Sequence, residues 1–120
     1  MAKILIADDS LTVAKYVETV LKAEGHSLSM VTNGEEALDR IRNDNFDLLI
    51  LDVVMPRKNG YQVCREIKNS ERYKTIPVIM LTTKELDHDK FWGFKQGANE
   101  YLTKPCSPEE LLGAVNKLII

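Results

Sequence analysis

The runs at residues 3–7, 47–51 and 77–81 are apolar at successive positions instead of at every other one. A strand with one wet face alternates; a strand that is apolar throughout must be covered on both sides. Shorter runs at residues 28–31 and 100–103 have the same strand length. Helices are the elements that cover both faces of a parallel sheet, so the chain is constrained to alternate strand and helix.

The segments between the runs carry helical spacing. Val13, Val17, Val20 and Leu21 fall on one face of a helix that starts after Ser10 and stops before Gly25. Asn33 to Glu36 and Ser107 to Glu110 read as capping boxes, the second with Pro108 at the first helical position. Leu111, Leu112, Val115, Leu118 and Ile119 form the stripe of a terminal helix, and Val63, Cys64 and Ile67 that of a third. Phe91 and Phe94 fit the core stripe of a fourth helix. Trp92 between them is a candidate partner anchor if it faces solvent, with core packing as the favoured alternative. Five strands alternating with five helices predict an α/β doubly wound domain. The 120 residues suit one domain, with no linker or repeat and no residues left over for an attached output domain.

Composition removes several classes of function. Sixteen Lys and Arg against 18 Asp and Glu leave a formal net charge of -2, without the basic face that nucleic acid requires. The first apolar run ends in two aspartates, too short and too soon charged for a signal peptide or membrane span. Cys64 and Cys106 form no CxxC and have no nearby histidine, so they read as small buried residues of a reducing compartment. The expected location is the cytoplasm. His26 and His88 lie far in sequence from the acidic residues and are expected to face solvent.

Sites in such sheets form at the carboxyl ends of the strands. Here those ends carry Asp8 and Asp9, then Asp52, then Thr82 and Thr83, then Lys104. Strands about 4.8 Å apart bring aspartates from neighbouring ends within reach of one ion. Bare carboxylates at that spacing repel, and a hard divalent cation relieves the repulsion while keeping an open side for phosphate. Lys104 suits a phosphoryl oxygen, not a metal. The arrangement fits attack by a carboxylate on phosphorus to give an aspartyl phosphate.

Asp8-Asp9, Asp52 through Pro56 with Gly60, Leu81-Thr82, and Tyr101 through Pro105 resemble the receiver domain of two-component response regulators, in order and over essentially the whole chain. The resemblance implies the flavodoxin-like strand order 2-1-3-4-5. It implies that Asp52 is the phosphoacceptor, and that Asp8, Asp9, Asp52 and the Val54 backbone carbonyl hold Mg²⁺ or Mn²⁺. It further implies that Thr82, Tyr101 and Lys104 form the switch, with a cis bond between Lys104 and Pro105. The implied partners are a histidine kinase as donor and a protein target on the face of the fourth helix, fifth strand and fifth helix. Neither nucleic acid nor membrane is implied. A receiver catalyses only its own phosphorylation and dephosphorylation and is no enzyme beyond that. Thr83-Lys84, the stretch from Asp89 to Gly93, and Gln96 to Ala98 are similar to single-domain receivers of twitching-motility and related chemosensory systems.

Two departures concern access and lifetime. Thr83 stands where a small Ala or Gly is usual, narrowing the approach to Asp52. Apolar Val54 positions no attacking water and Lys84 shields the phosphoryl group, so a long-lived phosphoprotein is expected. Taken singly, each motif has a bland reading: acids that cap a helix, a loop proline, a threonine satisfying backbone. Met55 reads as packing, and Gly60 as serving a tight turn or helix entry. The competing functions are a haloacid-dehalogenase-type phosphatase, which needs an Asp-x-Asp, a flavin-binding protein of the same fold, whose phosphate an acidic rim would repel, a phosphate-independent adaptor, and a phosphate sink for a shared kinase.

Overall fold

In the computed structural model, which describes residues 1–119, the elements alternate from end to end. They are β1 (Lys3–Ala7), α1 (Leu11–Lys22), β2 (Ser27–Val31), α2 (Gly34–Asn43), β3 (Leu48–Leu51), α3 (Gly60–Lys68), β4 (Val78–Thr82), α4 (Asp87–Lys95), β5 (Glu100–Thr103) and α5 (Pro108–Leu118). All strand pairs are parallel, in the order β2-β1-β3-β4-β5. The expected fold and strand order are therefore those observed.

Continuous apolar runs do what two-sided burial demands. Ile4 and Ile6 of β1 pack with Ala14, Val17 and Leu21 of α1 and with Leu111 and Val115 of α5. Leu5 and Ala7, pointing the other way, pack with Leu38 and Ile41 of α2 and Val63 and Ile67 of α3. Ile4, Leu5, Leu48, Leu49 and Ile79 are fully buried, each worth about 1.5–3 kcal/mol of transfer free energy. Met55 is buried in the second layer, as expected.

The helix starts follow the polar signals closely. Ser10 accepts from the Val13 N–H, and Ser107 and Glu110 form a full capping box with Pro108 in the first turn. Asn33 accepts from the Glu36 N–H, but the Glu36 carboxylate takes the Asn33 side-chain amide instead of its backbone N–H, so that box is half formed. A full box at Asn59 and Gln62 opens α3; its Asn-x-x-Gln spacing was readable but not singled out.

Helix α4 departs from expectation. Its buried residues are Asp89 and Gly93, and Gln96 just beyond it is also buried, while Phe91 and Phe94 are 64% and 50% exposed. The aromatic pair is thus not a core stripe. Asp89, Gly93 and Gln96 recur at helical spacing, and it is this polar, small face that meets the protein. The Asp89 carboxylate accepts from the Leu86 N–H, capping the helix start. Trp92 is also exposed.

His26 is another correction. It is half buried, and its Nδ1 accepts a 3.0 Å hydrogen bond from the Ala2 N–H, tying the start of β2 to the start of β1. His88 is exposed as expected. Both cysteines are buried and free, and burial pushes the Cys64 thiol up to about 11. Among the described residues no helix is long and apolar enough to cross a membrane.

Candidate functional site

Register places the site. Ala7 of β1 pairs with Leu51 of β3, so the next residues, Asp8 and Asp52, leave the sheet side by side. This is where the strand order reverses, and the crevice opens at such a point. Thr82 pairs with Thr103, so Lys104 follows one step beyond on β5. The ladder continues past the strands: the Asp52 N–H bonds to the Ala7 carbonyl at 2.9 Å and the Lys104 N–H to the Thr82 carbonyl at 2.8 Å. These bonds fix the backbone under each functional side chain.

Lys104 joins the two buried acids. Its Nζ lies 3.0 Å from Asp52 Oδ2 and 2.9 Å from Asp8 Oδ2. Asp8 and Asp52 are 3% and 5% exposed, so their charges cannot lean on water. Burial pulls the Lys104 ammonium down, but its hydrogen bonds to Asp8 and Asp52 and their charges outweigh that and hold it above its ordinary value. For Asp8 the balance runs the other way. Burial pushes its carboxyl up, and the bonds from Lys104 and the Ser10 N–H only partly offset it. The Lys104 peptide to Pro105 is cis, as the resemblance implied.

Asp9, exposed beside them, completes an acidic triad: Asp8, Asp9 and Asp52 each offer an oxygen within 4.8 Å of the others. An all-carboxylate set of this size fits a hard divalent cation of the Mg²⁺ type. The Val54 N–H donates to Asp52 Oδ1 at 3.2 Å, so the loop after β3 turns back toward that carboxylate. That loop turns sharply at Arg57, whose φ is 71°, and the Lys58 N–H closes on the Pro56 carbonyl at 2.9 Å. Gly60 enters α3 against the Asp52 carbonyl, where a Cβ would collide with backbone. Its reading as a helix-entry glycine holds.

Thr82 is fully buried, and its Oγ1 accepts from the Lys84 N–H at 3.3 Å. Thr83 and Lys84 are exposed at the start of the β4–α4 connection, and the Val54 side chain is exposed on the opposite loop. Tyr101 is half buried and donates from its hydroxyl to the Lys84 carbonyl at 2.8 Å. Burial and the neighbouring Tyr61 push its phenol up, so it stays a donor.

Two residues of this region were not singled out from sequence. Tyr61 of α3 donates to the Asp89 carbonyl at 3.1 Å, bridging α3 to α4. Gly93 lies under the Tyr101 ring, which a Cβ there would meet at 2.8 Å. Neither a tyrosine nor a glycine carries a local signal for such a contact. On the other side of Lys104, Val13, Tyr16, Pro105 and Cys106 line a shallow apolar cleft of about 370 Å³, and the Tyr16 hydroxyl donates to the Cys106 carbonyl at 2.6 Å.

Comparison with known proteins gives this geometry its setting. The family model of the response regulator receiver domain matches residues 4–116. The chain is 40% identical to Protein PilH of Pseudomonas aeruginosa over 99% of its own length and 98% of that protein's. It is 42% identical to Protein PilG of the same organism, covering 94% of this chain and 84% of that one. The chemotaxis response regulator CheY4 of Vibrio cholerae superposes with a TM-score of 0.91 at 34% identity, covering 98% of each chain. With its acids, threonine and lysine at the ends of a 2-1-3-4-5 sheet, the chain belongs to the response regulator receiver domain family.

Proposed function

We propose that this receiver accepts a phosphoryl group on Asp52 from the phosphohistidine of a histidine kinase. A carboxylate oxygen of Asp52 forms the new P–O bond as the P–N bond to the donor imidazole breaks. Lys104 grips a phosphoryl oxygen, and Thr82 is placed one strand away to bond another. Asp8, Asp9, Asp52 and the Val54 carbonyl would hold Mg²⁺ or Mn²⁺, which supplies charge neutralisation for the transferring group. The chain acts on no separate substrate; it catalyses its own phosphorylation and dephosphorylation.

The single observation that carries this reading is the Lys104 ammonium held 3.0 Å from Asp52 beside two further carboxylates. Output is by population shift: Thr82 moves toward the phosphoryl group, Tyr101 follows, and a protein target that prefers this state binds the α4–β5–α5 face. The sequence resemblance to single-domain receivers of twitching-motility systems points to a chemosensory role in the cytoplasm, and the similarity to Protein PilH, Protein PilG and the chemotaxis response regulator CheY4 is in keeping with that role.

The test is the intact mass after incubation with Mg²⁺ and phosphoramidate. One added phosphoryl group, absent with chelator and absent in Asp52→Asn, supports the reading. No adduct, even with a histidine kinase as donor, sinks it in favour of a phosphate-independent adaptor.

A further inference from the structure

Helix α4 buries no apolar side chain; its buried residues are Asp89 and Gly93. Burial of an apolar face is what usually holds a helix to its protein, so α4 needs another means of attachment. Helix α3 supplies one. The Tyr61 hydroxyl donates to the Asp89 carbonyl in the first turn of α4 at 3.1 Å. The Cys64 thiol donates to the Gln96 carbonyl, just past the last turn, at 3.5 Å. Three residues apart, Tyr61 and Cys64 share one face of α3, and that face clasps α4 near both ends. A thiol is a weak donor, so the phenol is the firmer point of the two.

The firmer point lies beside the switch. Residues 84–89 lead from the β4–α4 connection into the helix, and a tyrosine hydroxyl grips each end of this segment. Tyr101 of β5 holds the Lys84 carbonyl at 2.8 Å, and Tyr61 of α3 holds that of Asp89. The two tyrosines pack against the same core layer. Thr82 is tied to the segment as well, its Oγ1 accepting from the Lys84 N–H at 3.3 Å. A Thr82 that turns toward a phosphoryl group on Asp52 therefore gives up that bond or draws the segment with it. We propose that Tyr61 is a positioning residue of the switch: its hydroxyl holds residues 84–89 in the arrangement seen here and so sets how readily the domain leaves it. The inference rests on the phosphoacceptor reading of Asp52 and adds a brake to it, on a helix that contributes none of the reacting groups. One hydrogen bond shifts a two-state balance by about threefold to tenfold, enough to tune a switch without disabling it.

The test compares the wild-type chain with Tyr61→Phe, which removes the hydroxyl and keeps the ring. Tyr73→Phe is the control, since its hydroxyl also bonds a carbonyl, that of Arg42 at 3.4 Å, away from the switch. Two quantities are read: hydrogen exchange of the 84–95 segment in chelator, and the initial rate of phosphorylation by phosphoramidate with Mg²⁺, from intact mass. In Tyr61→Phe the segment is expected to exchange about threefold to tenfold faster. Phosphorylation should quicken by a similar factor, because the reactive arrangement is populated more often. Tyr73→Phe should leave that rate unchanged; loss of stability alone does not speed the chemistry. Unchanged exchange in Tyr61→Phe overturns the clasp. Faster exchange with an unchanged or slower phosphorylation overturns the positioning role and leaves Tyr61 a structural contact, as does an equal gain in Tyr73→Phe. No adduct on the wild-type chain defeats the phosphoacceptor reading and the brake with it, a failure separate from that of the clasp, which the exchange alone decides.

Discussion

The ring of Tyr101 occupies the space that any side chain at position 93 would need: a Cβ on Gly93 would sit 2.8 Å from two of its carbons. The same tyrosine reaches across to the Lys84 carbonyl, so the glycine on α4, the ring on β5 and the loop after β4 form one packed unit. Gly93→Val is expected to cost about 1–3 kcal/mol through overpacking. In a Tyr101→Ala background the same substitution should cost far less. Urea denaturation of the four proteins of this double-mutant cycle measures the coupling, and additive losses would disprove the contact's importance.

Lys104 is the shared cation of two buried acids, and its side chain is only 14% exposed. Lys104→Ala leaves both carboxylates without it. In chelator the variant is expected to lose about 3 kcal/mol of stability, with much of the loss recovered on adding Mg²⁺. An unfolding midpoint unchanged in chelator would show that the pair is not stabilising.

For Asp8 the folded carboxyl titrates above its ordinary 3.8, with burial as the leading cause. The folded state then binds the proton more readily than the unfolded one. Stability contributed by that proton is present below 3.8 and is lost as the pH rises through the folded value, so ionised Asp8 is a liability at neutral pH. Asp8→Asn should therefore leave the metal-free melting temperature unchanged or slightly higher and flatten its fall across that mildly acidic window. Its Mg²⁺ affinity should drop by about tenfold or more. Calorimetric melting in chelator and Mg²⁺ titration check the two halves separately.

The Val54 side chain stands exposed while its N–H is bonded to the acceptor carboxylate. It can orient no water. Val54→Asn should shorten the lifetime of the phosphorylated protein several-fold by offering an amide to an incoming water, read from the decay of the phosphoryl adduct by mass. An unchanged decay would place control of the lifetime elsewhere, with exposed Lys84 the next position to exchange.

Legibility from sequence followed the physics of each element. β1, β3 and β4 announced themselves because two-sided burial leaves an unbroken apolar run, and the strand-end acids and threonine followed from there, while Lys104 ends the less deeply buried β5. Helix α4 misled because the aromatic residues at Phe91 and Phe94 imitate a core stripe, while its actual inner face is Asp89, Gly93 and Gln96. His26 carries no pattern at all; its bond to the Ala2 N–H exists only once β1 and β2 are side by side. The double engagement of Lys104 and the seat of Tyr101 on Gly93 are likewise through-space facts, set by strand register and helix placement.

The anchoring of α4 through Gly93 and two small polar neighbours separates two kinds of duty along one helix. Phe91 and Trp92 face outward, whereas the Phe94 ring lies 6.3 Å from that of Tyr101 and shares in the packed unit around it. Exchanging Phe91 and Trp92 would rewrite the outer surface of α4 while leaving its seat on the protein intact.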